Sequence, residues 1–160
     1  MSEFEIKDAS KAIYKDVCDY FDANGLSYDK DEAHLVVISK FSGDDLPVNM
    51  IIEVTEGLNL LSIISPMPFT VSEDKRIDVA LAVVAANNGV RNGAFDLDLD
   101  SGRVVYKVCD LITDGKAGKD LLDYLFSISL NMIDDYNDKF FAVSFGAISV
   151  AEFIEWNKNK

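Results

Sequence analysis

Three aspartates, Asp96, Asp98 and Asp100, stand at alternate positions in FDLDLDSGRVVYK, residues 95–107, just ahead of Gly102. Alternate acids before a glycine invite comparison with a calcium loop. Such a loop needs oxygen ligands at its first, third and fifth positions, a glycine at the sixth and a bidentate glutamate at the twelfth. Counted from Asp96, the three acids fit, but the sixth residue is Ser101 and the twelfth is Lys107, a cation where the ion needs its strongest anion. The acids also alternate strictly with Phe95, Leu97 and Leu99, which is the period of a strand. Folded as a hairpin with Ser101-Gly102 as a two-residue turn, Phe95 faces Val108, Leu97 faces Tyr106 and Leu99 faces Val104. One face is then wholly apolar. The other carries the opposite-charge pairs Asp96–Lys107 and Asp100–Arg103. A slip of one residue would drive the aspartates into the core, so the sequence predicts a structural hairpin and no metal site.

The remaining candidates for chemistry are few. GKAGKD, residues 115–120, precedes a helix, but it lacks the glycine spacing and the Ser/Thr of a phosphate-binding loop. Lys119 can attract an anion only weakly there. His34 is the single histidine, and any nucleophilic triad would have to be built on it. No Gly-x-Ser-x-Gly elbow is present. Cys18 and Cys109 are too far apart in sequence for a zinc or redox motif. The expectation is two buried free thiols, with a disulfide left open. No cofactor is expected and no enzyme class is recognised, although paired carboxylates can act without a motif. ISPMPF, residues 64–69, sets Met67 and Phe69 beside prolines, and the tail adds Phe153 and Trp156. These four are candidate protein-binding anchors if exposed, and core caps if not.

The chain has 160 residues, 49% of them hydrophobic, which is enough for one domain with a real core. It carries 15 basic and 28 acidic residues, a net charge of −13. Such a surface repels nucleic-acid backbones and anionic lipid, so neither is an expected partner. The first residues, MSEFEIKDAS, have no basic start and no apolar core of a signal peptide. LNLLSIISPMPFTV is too short and proline-broken to span a bilayer. A cytoplasmic location is expected.

The elements that hold these residues follow from period and punctuation. A first helix is predicted from Ala9 to Asn24, capped by Asp8 and stopped at Gly25, with Ile13, Val17, Tyr20 and Phe21 as its apolar stripe. Three strands are predicted at His34–Phe41, Val48–Thr55 and Leu58–Ser65, with Pro66 and Pro68 ending the sheet edge. A second helix is expected after Ser72 and up to Asn88, burying Ile77, Ala80, Leu81 and Val84. After the hairpin, a third helix is predicted from Lys119 to Asp138, with Leu121, Leu122, Leu125, Ile128, Met132, Ile133 and Tyr136 as its stripe. A short amphipathic helix capped by Ser149 closes the chain. The result is an α+β fold in α-β-β-β-α-β-β-α order: a twisted antiparallel sheet of about five strands, helices packed on it, one domain over 1–160 with a helical extension at 146–160.

This order, with NNGVRNGAFDLDLDSGRVVYK after the second helix, resembles the YbjN-like bacterial proteins. The matching residues are Asn87, Asn88, Gly93, Phe95, Asp98, Asp100, Gly102, Val104, Tyr106 and Lys107. The resemblance implies a fold similar to type III secretion chaperones, often dimeric and not catalytic. The expected function is a non-enzymatic domain that binds a protein partner as a homodimer, in regulation or chaperoning. The competing expectation is a small-molecule binder or enzyme with a pocket near His34 and Lys119.

Overall fold

The computed structural model describes residues 3–160, with side chains from Ala9 onward. Its elements are α1 (Glu3–Ala23), β1 (Asp29–Asp31), β2 (Val36–Phe41), β3 (Val48–Thr55), β4 (Leu60–Thr70), α2 (Arg76–Asn87), β5 (Ala94–Leu97), β6 (Arg103–Leu111), α3 (Lys119–Ser144) and α4 (Val150–Lys158). The fold is α+β. A six-stranded antiparallel sheet runs β1-β2-β3-β4-β6-β5, so the sixth strand is the short edge β1, which an all-charged DKD gives no pattern to announce. Among the described residues no helix is long and apolar enough to cross a membrane.

One face of the sheet is packed. β3 alternates buried and half-buried along its whole length, with Val48, Met50, Ile52 and Val54 inward. Leu61, Ile63, Tyr106 and Val108 continue that layer on β4 and β6. Ile13, Val17 and Phe21 of α1 and Leu122, Leu125, Ile133 and Phe140 of α3 complete the core; all are at most 2% exposed. The other face carries Ile38, Ile51 and Ile64 in one cross-strand row. α1 reaches back to Glu3, past its predicted start, and the side chain of the predicted cap Asp8 lies outside the described residues. A buried bond from Ser10 Oγ to Asn59 Oδ1 (2.7 Å) ties α1 to the β3–β4 turn.

Four expectations are corrected. Pro66 and Pro68 do not end the sheet, because β4 continues to Thr70. The β3 ladder has already stopped at Ile64, so a residue beyond it needs hydrogen bonds only toward β6, and proline is tolerated there. The register against β6 then slips between Pro66 and Thr70. α3 runs to Ser144 rather than Asp138, since DKFFAVS contains no breaker before Gly146. The hairpin register differs by two: Phe95 faces Tyr106 and Leu97 faces Val104. Side chains keep their predicted faces, but Leu99 leaves the ladder for a wider turn and is 54% exposed.

The fourth correction concerns α2. Its buried residues are Val79, Ala82, Val83 and Ala86. Ile77, Leu81 and Val84, predicted as core, are 67%, 52% and 69% exposed. RIDVALAVVAAN is apolar almost all round, so its period supports two faces. The smaller residues let the helix approach the rest of the fold more closely, and the bulky ones are left outside.

Candidate functional site

The aspartate cluster is a turn. Asp98 Oδ1 accepts from the Asp100 amide (2.9 Å) and the Ser101 amide (3.3 Å), and Ser101 Oγ donates to Asp98 Oδ2 (2.6 Å). The Ser101 hydroxyl, then those amides, hold the Asp98 carboxyl below its usual range. Gly102, at φ +75, closes the loop, and its amide donates to Asp98 O (2.7 Å). The Asp96–Lys107 ion pair forms at 2.6 Å, now on a diagonal because Lys107 stands opposite Ala94. Among the described residues no three His, Cys, Asp or Glu side chains gather to hold a metal ion.

The joint between α2 and β5 explains the asparagine–glycine run. Asn87 clamps Phe95 from both sides: its Nδ2 donates to Phe95 O (2.9 Å), and the Phe95 amide donates to its Oδ1 (2.8 Å). A side-chain amide there stands in for one more strand residue. Tyr106 is fully buried and its hydroxyl donates to Asn92 O (2.7 Å). Gly93, at φ +75, leaves the room that this hydroxyl fills. Burial pushes the Tyr106 phenol up to about 12, so it stays a donor throughout the neutral range.

The four candidate anchors separate. Met67 is 6% exposed and Phe153 is fully buried, so both serve the core. Phe153 stacks on Phe140 at 5.2 Å between centroids. Phe69 is half-buried and meets Phe141 edge-on at 5.3 Å; Phe141 in turn meets Phe145, which is 70% exposed. Trp156 is half-buried, edge-on to Tyr136 at 5.2 Å. Cys18 is half-buried on α1, whereas Cys109 is exposed on β6, against the expectation that both are inside; both thiols are free. His34 is exposed, its Nδ1 2.7 Å from Asp31 Oδ2. Lys119 pairs with Asp123 and lines a shallow depression with Asp16, Tyr20 and Ala117, whose walls do not include His34. The two are not brought into one pocket there.

Sequence reasoning missed the surface that stands out most. Leu99 and Ile77 border one open depression, with Arg76 between them bonded through Nη1 to Leu99 O (2.8 Å). From there the apolar strip continues along α2 through Leu81 and Val84, at i, i+4 and i+7. Glu73 and Asp74 lie at its start and Arg91 lies beyond its end, all exposed. The signal available in the sequence was that α2 is apolar on both faces, more than one core can use.

The comparisons agree with this fold. Residues 14–142 match the YbjN family, described as "Putative bacterial sensory transduction regulator". A solved structure, "Crystal structure of YbjN, a putative transcription regulator from E. coli", superposes with a TM-score of 0.60 at 11% sequence identity, covering 83% of this chain and 92% of that one. At that identity the likeness is one of fold. No curated protein matches the chain.

Proposed function

The chain belongs to the YbjN family, and from that membership we propose that it acts without catalysis, as a regulator that binds a protein partner and works as a homodimer in the cytoplasm. The observation that carries this reading is the apolar strip of α2, which the monomer leaves uncovered. Helices apolar on every side are normally enclosed, and this one is enclosed on one side only.

A second copy is the occupant that fits. Two such helices crossing antiparallel about Leu81 bring Ile77 of each toward Val84 of the other. The acidic start of one helix, Glu73 and Asp74, then approaches Arg91 of its mate. Fully burying an Ile, Leu or Val side chain contributes about 1.5–3 kcal/mol. Scaled by the exposed fractions of the three residues, that is roughly 3–6 kcal/mol per copy, against an association cost of about 4–15 kcal/mol. A dimer of modest affinity follows. Phe69 and Trp156 are proposed as contacts to the regulated protein, with Phe153 packed against Trp156 at 5.5 Å between ring centroids and Met67 in the core. The twisted sheet with helices on one face also suits the secretion-chaperone variant, in which the partner is an extended segment. Residues 146–160 are proposed as an extension of a single domain, with α4 pinned by Phe153 and by Asn157 Nδ2 on Ala85 O (3.0 Å).

Sedimentation equilibrium tests the reading. The expected result is a concentration-dependent rise from 17.7 kDa toward twice that mass. Leu81→Asp should hold the chain at monomer mass with an unchanged circular dichroism spectrum. Losing about 1 kcal/mol per Leu81 weakens the pair roughly thirtyfold before the facing carboxylates are counted. A wild type that stays monomeric, or a Leu81→Asp variant that dimerises equally, overturns it.

A further inference from the structure

We propose that the cleft between α1 and the β1–β2 hairpin binds a small zwitterion with an apolar body, of free-amino-acid type. The cleft encloses about 570 Å³, within the usual size of a small-molecule site. Its floor includes Tyr14, 6% exposed, whose hydroxyl is buried and has no nitrogen or oxygen hydrogen-bond partner among the described residues. A buried hydroxyl left unpaired is costly, and such groups call for an explanation. The Cys18 thiol stands beside it as a weak sulfur neighbour, and burial first, then that neighbour, push the phenol above its usual range. The hydroxyl is therefore a donor at any working pH, waiting for an acceptor.

The charges around the mouth select the ligand. Three lysines and three acids line it, an even mixture in a chain whose net charge is −13. Lys15 and Asp19 neutralise each other, and Asp22 accepts the Tyr28 hydroxyl (3.1 Å). Lys11, Lys30 and Glu32 remain without an ion pair among the described residues. A lone organic anion would meet Glu32 and Asp22, and a lone cation would meet the lysines. A molecule carrying both signs satisfies both, its carboxylate toward Tyr14 and the lysines and its ammonium toward Glu32. The rings of Tyr14 and Tyr28 and the side chain of Leu35 supply the apolar wall.

Cys18 lines the same cleft and serves as the reporter. In the full chain carrying Cys109→Ser, alkylation of Cys18 by iodoacetamide is timed by mass spectrometry against a panel of aromatic and branched L-amino acids, each beside its matching amine and its matching deaminated acid. At about ten times its Kd a ligand leaves the cleft open roughly a tenth of the time, so alkylation slows about tenfold. The expected result is protection by at least one amino acid and little by its amine or acid. Tyr14→Phe and Lys30→Glu should each reduce that protection several-fold with unchanged circular dichroism. Leu81→Asp should retain it, which separates this site from the proposed dimer. Protection by none of the panel, equal protection by the amine or the acid, or full protection in Tyr14→Phe overturns the proposal.

Discussion

Replacing Gly93 by alanine tests the joint that connects α2 to the sheet. A Cβ at this position would lie 2.7 Å from Lys107 O and 2.7 Å from Tyr106 Cζ, and closer still to the Tyr106 hydroxyl. Neither neighbour can yield freely. The carbonyl belongs to the β5–β6 ladder, where Ala94 faces Lys107. The ring is fully buried against Phe95, with centroids 5.2 Å apart. Alanine at φ +75 costs about 1–2 kcal/mol in backbone strain alone. Displacing the hydroxyl from Asn92 O leaves a buried donor and acceptor unpaired, about 1–3 kcal/mol more. Gly93→Ala should therefore lose about 2–5 kcal/mol, a large part of the ~5–15 kcal/mol that a domain has. Tyr106→Phe alone should lose about 1–2 kcal/mol. The double variant removes the nearest of the three atoms that meet the new Cβ and the hydrogen bond it displaces, so its loss should fall short of the sum by about 1–2 kcal/mol. Urea unfolding followed by circular dichroism and by Trp156 fluorescence measures all three variants. A Gly93→Ala loss under about 1 kcal/mol, or strict additivity in the cycle, would refute this account of the glycine.

Other consequences can be checked with the same instruments. Asn137 is fully buried on α3 and neither atom of its carboxamide has a partner. Asn137→Leu should therefore be neutral to stabilising, raising Tm by about 2–4 °C for each kcal/mol recovered; a drop in Tm would mean the amide is satisfied. Ser149 and Glu152 form a reciprocal cap on α4, the Glu152 amide donating to Ser149 Oγ (3.2 Å) and the Ser149 amide to Glu152 Oε2 (2.7 Å). Ser149→Ala should cost about 1 kcal/mol and loosen α4 first, seen as a change in Trp156 emission before the global transition. The Ser149 amide, then its hydroxyl, hold the Glu152 carboxyl below its usual range. A depressed carboxyl contributes stability that is complete above the unfolded value and is lost as pH falls through the folded one. The α4 signal in wild type should thus persist below the ordinary glutamate range. In Glu152→Gln that acid dependence should be absent, and an unchanged titration would point to another group.

The sequence alone carried the element order apart from the edge strand β1, the inward residues Ile13, Val17 and Phe21 of α1, and the in–out sense of the 95–108 ribbon. Those depend on local period: two residues for a strand, 3.6 for a helix, with glycine and proline as punctuation. It also carried the reading of residues 95–107 as a hairpin and its turn, since Lys107 and the late glycine do not fit the pattern of a calcium loop. What it could not carry were choices among locally equivalent answers. A shift of two along a hairpin keeps every side chain on its face, so period left the register open. Asp98 bonding the Asp100 and Ser101 amides decided it, and Leu99 was put outside. An apolar-all-round α2 offers two faces, and the packing of its neighbours chose Val79, Ala82, Val83 and Ala86. Met67 and Phe153 became core, and Phe69 and Trp156 half-surface, only through what packs above them. The α1 cleft was invisible for the same reason. It is assembled from residues of the first helix, of β1 and of the turns flanking β1, most of them ordinary lysines, acids and tyrosines, which only the folded chain brings around the buried Tyr14 hydroxyl. Local chemistry fixes which way a residue points, and only tertiary packing fixes what it points at.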